Sequence, residues 1–273
     1  MTINYIVVPQ WQGSGSSRAM QLVDGAESIR GDLPSASTRT VDVPLEAGDH
    51  QGTGVHRLSS LLLVRERTRH AYAADPATHV TIGGDCGIEL GAIEHVSASV
   101  PAVVWIDAHP DLHTPESSPS GAFHGMVLRT LLGEGPAALV PEHPLTADRV
   151  ILAGVRSADP EEDAYIQDAD IRSIGAIEFS PEVLLKALAE IGADSVYLHI
   201  DLDVLDPADF TGLSSPVPFG ISPALLGETI RAVVAEYPLA GAGITEFAPA
   251  SVSQAADDLP TILRLIGAIT SAR

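Results

Sequence analysis

The chain has 273 residues, 45% of them hydrophobic, a formal net charge of −21 and one cysteine, Cys86. That length and hydrophobic content exclude a disordered chain and suit one large α/β domain with a well-buried sheet. The acidic balance argues against nucleic acid and anionic membrane as partners and favours cationic substrates and metal ions.

A lone cysteine excludes an internal disulfide. No apolar stretch has the length of a membrane span, and Met1–Ile6 lacks the basic region of a signal peptide, so a cytoplasmic location is expected. Lys186 is the single lysine, a bias for which the sequence offers no functional account.

Short apolar runs alternate with helical periodicity along the chain. Strands are expected near residues 3–8, 40–43, 78–82, 102–106, 150–153, 171–174, 196–200 and 242–245, with helices over 55–74, 87–96, 125–132, 160–167, 181–191, 223–236 and 259–272. Strands apolar on both sides belong to a parallel sheet covered on both faces. Proline near the start of several helical segments fits its preference for the first turn. The alternation implies a doubly wound sheet in one domain spanning 1–273. A boundary in the loop at 133–148 is the less favoured division. The long loops 110–122 and 206–222 follow strand ends, where α/β enzymes place substrate contacts.

The chemistry concentrates at two strand ends. Ala102-Val-Val-Trp-Ile106 runs into Asp107, His109, Asp111 and His113, with one acid or imidazole at every second position. Val196-Tyr-Leu-His-Ile200 runs into Asp201 and Asp203, followed by Asp206-Pro207, which reads as loop-shaping. A lone aspartate at a strand end is usually a cap or turn residue. Several buried carboxylates together need a cation to offset their desolvation. Asp107, His109 and Asp111 fall on one side of the chain if it stays extended through Pro110, and with Asp201 and Asp203 they suggest a two-metal site. Gly83-Gly84-Asp85-Cys86 closes a third strand, where paired glycines allow close backbone approach. By itself this motif is weak, since a free cysteine is usually a small buried hydrophobe.

Six segments, Gly83–Cys86, Asp107–Asp111, Ser120–Gly125, Gly154–Arg156, Asp201–Pro207 and Thr245–Phe247, together resemble the arginase/ureohydrolase family, in that family's order over about residues 80 to 250. The resemblance implies a three-layer α/β/α fold with an eight-stranded, mostly parallel sheet. It also implies two divalent ions, Mn²⁺ by family habit, and attack of a metal-bridging hydroxide on a guanidinium carbon with release of urea. Asp107 and Asp201 would bridge the ions, position 86 and Asp111 would complete the first shell, and His109 and Asp203 the second. Glu246 would pair with the guanidinium, and His124 would shuttle a proton to the leaving amine. Ser120 and His113 would face the substrate's carboxylate end, and Asp159 and Glu162 its α-amino end. Two alternatives stay open: Glu246 as a structural acid, and Asp159 before Pro160 as a helix cap. A homo-oligomer, trimer or hexamer, is also implied.

The chain departs from the family at three positions. Cys86 stands where the family has histidine, and a thiolate favours Zn²⁺ or Fe²⁺ over Mn²⁺. His113 and Ala122 stand where arginases usually carry asparagines. His113 can donate a hydrogen bond and Ala122 cannot, so arginine is one candidate among guanidino compounds. A single-metal amidohydrolase of the deacetylase type and a non-catalytic metal-binding homologue are the competing functions.

Overall fold

The computed structural model describes residues 2–99 and 101–271. An eight-stranded sheet organises it, in the order β2-β1-β3-β8-β7-β4-β5-β6. The strands are β1 (Ile3–Val8), β2 (Thr38–Thr40), β3 (Thr78–Gly83), β4 (Ala102–Ile106), β5 (Val150–Val155), β6 (Arg172–Gly175), β7 (Val196–Asp201) and β8 (Leu239–Thr245). Every strand pairing is parallel. The helices are α1 (Gln21–Gly31), α2 (Leu58–Ala73), α3 (Glu89–Ser97), α4 (Val127–Leu131), α5 (Pro160–Asp168), α6 (Pro181–Glu190), α7 (Pro223–Glu236) and α8 (Val252–Ile269). They cover both faces, giving two buried apolar clusters. One lies under α1, α6, α7 and α8; the other lies under α2, α3 and α4. This is the expected three-layer arrangement.

Three elements differ from the sequence reading. Helix α1 was not anticipated: its core stripe of Leu22, Ala26 and Ile29 is short and interrupted by Gly25. Gly25 permits close packing, since a Cβ there would lie 1.9 Å from the Phe247 carbonyl oxygen. The second strand occupies Thr38–Thr40 rather than 40–43, because pairing with Tyr5–Val7 at the sheet edge sets its register. The last helix starts at Val252, where the Ser251 side chain accepts from Gln254 N. Pro260, expected near a helix start, sits inside it instead. Its ring is exposed, so the carbonyl deprived of a partner can face water. Ala272, the expected end of this helix, lies outside the described residues.

Strand order positions the site. The chain lays down β3, moves across to β4, and later fills the gap between them with β7 and β8. Ile106 is in register with Ile200, and Asp201 with Thr245. The carboxyl ends of β4, β7 and β8 therefore stand level. Such a reversal point at the carboxyl edge of a parallel sheet is where α/β proteins bind ligands.

Candidate active site

The chain leaving β3, β4 and β7 turns each time through an aspartate that accepts the amide two residues ahead. Gly87 N donates to Asp85 Oδ1 at 2.8 Å, His109 N to Asp107 Oδ1 at 2.7 Å, and Asp203 N to Asp201 Oδ1 at 2.7 Å. These side-chain turns fix the carboxylates before any ligand arrives. At Gly84 a Cβ would lie 1.9 Å from the Gln10 carbonyl oxygen, which explains the glycine there. Asp111 does not arrive by extended alternation. Its φ of +53° swings the chain back after Pro110. Glu246 likewise has φ +63°. Left-handed backbone at two non-glycine residues, each aimed into one cavity, is strain of the sort functional sites retain.

The cavity has a volume of about 300 Å³ and is lined by His109, Asp111, His113, His124, Gly125, Ser157, Asp159, Glu162, Asp201, Asp203, Ser215 and Glu246. Asp107 and Cys86 are fully buried beside it. His109 Nδ1 lies 2.9 Å from Asp203 Oδ2 and 3.6 Å from Asp107 Oδ1. Ligand atoms of Cys86, Asp107 and Asp111 lie within 4.8 Å of one another, as do those of Cys86, Asp201 and Glu246. His124 Nδ1 is 3.2 Å from Glu246 Oε1, and Ser214 Oγ donates to Glu246 Oε2. At the mouth, His113 Nε2 lies 3.1 Å from Asp159 Oδ2.

The electrostatics of this cluster fit a cation. Burial, and then the neighbouring carboxylates, push Asp111 and Asp201 well above the usual carboxylate range and Asp203 up to about 6. Burial opposes a charge on His109, but its hydrogen bonds to Asp107 and Asp203 push it up to about 12. Burial alone would raise Asp107, yet His109 and His199 hold it below the ordinary value. Asp111 Oδ2 and His199 Nε2 are buried without a hydrogen-bond partner. Oxygen and imidazole donors desolvated without partners are the donor set of a divalent-metal site, and the residues present fit one.

Cys86 is also in the cluster. Its Sγ donates to Asp201 Oδ2 at 3.1 Å and lies 3.4 Å from Thr245 Oγ1. Burial, followed by the surrounding carboxylates, pushes this thiol well above its usual range.

Asp159 and Glu162 form a capping box at the start of α5, and Glu162 Oε1 also accepts from Leu112 N at 2.9 Å. Asp159 thus has the capping position and a side chain facing the cavity at once. Ser120 is exposed and is not among the lining residues; its Oγ accepts from Ala122 N at 3.2 Å. Asp206 shapes its loop, accepting from Ala208 N and Gly220 N. Sequence reasoning passed over Ser214, Ser215, Glu89 and His199. The serines carry no motif. His199 had a signal, standing two residues before Asp201 on the same side of β7.

The sequence profile of the Arginase family matches residues 18–262. Arginase of Entamoeba histolytica is 30% identical over 244 residues, covering 81% of each sequence. Its crystal structure with L-ornithine superposes with a TM-score of 0.87 at 27% identity, covering 98% of each chain. The crystal structure of arginase from Bacillus subtilis superposes with a TM-score of 0.87 at 25% identity, covering 100% of this chain and 99% of that one.

Proposed function

Since the chain belongs to the arginase family, we propose that it is a metal-dependent ureohydrolase that releases urea from arginine or a related guanidino compound. The carrying observation is the convergence of buried Asp107, Asp111, Asp201 and Asp203 with His109 at one sheet edge. In this reading Asp107 and Asp201 would help hold both ions, Asp111 the first and His109 and Asp203 the second, with Cys86 next to the first position. The ions, when bound, supply Lewis acidity and make water a usable nucleophile near neutral pH. Manganese suits the carboxylate and imidazole donors, while Cys86 leaves zinc and iron as candidates.

The chain's own residues do the rest. Glu246 offers a carboxylate, oriented by Ser214 and the Cys86 amide, to the planar guanidinium. His124 carries a proton to the departing amine, its imidazole charge supported by Glu246. Asp159, His113 and Glu162 meet the charged far end of the substrate at the mouth, and Ser120, on loop 110–122 outside the cavity lining, would have to move to join them. The acidic walls draw a cationic substrate inward.

We read residues 1–273 as a single catalytic domain acting in the cytoplasm as a homo-oligomer. Among the described residues no helix is long and apolar enough to cross a membrane. Urea release from a panel of guanidino compounds, with Mn²⁺, Zn²⁺ and Fe²⁺ supplied in turn, tests the proposal. Failure of every pair, or turnover of acylated amines instead, would refute it.

A further inference from the structure

His199 lies on central strand β7 with no exposed surface, and its Nε2 is buried without a hydrogen-bond partner. Two contacts fix the ring, and one of them is itself braced. Nδ1 lies 3.0 Å from Glu89 Oε1. Glu89 is itself held by the Tyr197 hydroxyl, which donates to Oε2. Trp105 stacks on the imidazole with ring centroids 3.6 Å apart. Glu89 reaches this position because Gly243 of β8 leaves room; a Cβ there would lie 1.7 Å from Glu89 Oε1.

A buried carboxylate accepting from one ring nitrogen sets the tautomer and presents the other nitrogen's lone pair, the arrangement that supports metal-ligating histidines. The presented Nε2 points at the right place. It is 3.7 Å from Asp107 Oδ2, and His199, Cys86, Asp107 and Asp111 each offer a ligand atom within 4.8 Å of the others. Atoms sharing one ion at about 2.0–2.3 Å fall within that span.

We propose that His199 supplies the imidazole of the first metal position, displaced from the glycine-rich loop to strand β7, with Cys86 beside it hydrogen-bonded to Asp201. The exchange keeps the donor chemistry while moving its source. The Cys86 thiol is already engaged by Asp201 Oδ2 and Thr245 Oγ1, whereas His199 Nε2 has no hydrogen-bond partner. The position then has the carboxylates of Asp107, Asp111 and Asp201 and one imidazole, a set that suits a hard ion such as Mn²⁺.

This inference rests on the metallohydrolase reading, and the experiment separates the two. Metal content per chain is measured by elemental analysis after equilibration with Mn²⁺, together with Mn²⁺ affinity by calorimetry, for the parent, His199→Asn and Cys86→Ser. Asparagine keeps a donor for Glu89 and removes the Nε2 ligand. The expected result is two ions in the parent and in Cys86→Ser, and one in His199→Asn, or a loss of on the order of 100-fold in affinity at one site. Unchanged stoichiometry and affinity in His199→Asn would overturn the inference while leaving the reading beneath it intact. A parent that binds no ion would overturn both. If His199→Asn fails to fold, anomalous diffraction from the Mn²⁺-equilibrated parent decides: Nε2 at about 2.0–2.3 Å from an ion supports the assignment, and an ion beyond about 3.5 Å refutes it.

Discussion

His124 and Glu246 are 122 residues apart in the sequence and meet with Nδ1 and Oε1 3.2 Å apart. Burial works against a charged imidazole, but the Glu246 hydrogen bond and charge outweigh it and raise the pKa of His124. Its protonated form thus persists to higher pH than that of a free histidine. The pairing stabilises the fold fully below the ordinary value of about 6.5, and that contribution is lost as pH rises through the raised value.

Replacing His124 by Asn removes the proton carrier and leaves the cluster of acids untouched. Turnover should fall by on the order of 10²–10⁴ with metal content unchanged. Steady-state kinetics and elemental analysis on one preparation check this; loss of metal in the variant would instead make His124 a ligand.

Glu246→Gln removes the negative partner of both the guanidinium and His124. A buried charge pair broken on one side costs about 2–5 kcal/mol, which should appear in kcat/KM. The loss of charge should also move the pH profile assigned to His124 downward. A variant with parental kinetics would make Glu246 a structural acid.

Metal removal should expose the pH dependence of the acids. Asp203 is pushed up to about 6 and Asp111 and Asp201 well above the carboxylate range. An acid raised on folding stabilises below its unfolded value, about 3.9, and loses that contribution as pH rises through its folded value. Chelator-treated protein should therefore melt at progressively lower temperature as pH rises from about 4 through about 6, with the decline continuing above that. Saturating Mn²⁺ at about 100 times its dissociation constant should restore about 2.7 kcal/mol. Parallel melting curves for the two forms across that range would contradict the assignment.

Arg156 anchors the loop that follows β7. Its guanidinium donates to the carbonyl oxygens of Asp203, Val217 and Pro218 at 2.8, 2.8 and 3.1 Å, and to those of Gly154, Val204 and Leu205 at 3.2–3.4 Å. A lysine ammonium cannot reach both sides of that fork. Arg156→Lys should lower stability by about 1–3 kcal/mol in chemical denaturation and weaken metal retention through Asp203. A change below about 0.5 kcal/mol would show that the fork is dispensable.

Much of the fold and site was legible because acids at strand ends and two-sided apolar strands are local patterns. Asp107, His109, Asp111, Asp201 and Asp203 follow from strand endings, and their meeting follows from strand order, which no local pattern encodes. Helix α1 was missed because its stripe is brief, and α8 was started late because Pro260 imitates a first-turn residue. His199 was passed over although it alternates with Asp201, since a histidine within an apolar strand reads as core until its partner Glu89 is seen beside it.

Strand β8, the last in the sequence, pairs with β3 on one side and β7 on the other. A nascent chain that ends before Leu239 therefore holds two separate half-sheets, with Cys86 on one and Asp107 and Asp201 on the other. The ribosome must deliver the middle of the sheet last, and Cys86, Glu89 and Glu246 join the acids at the ends of β4 and β7 only after that final insertion closes the seam.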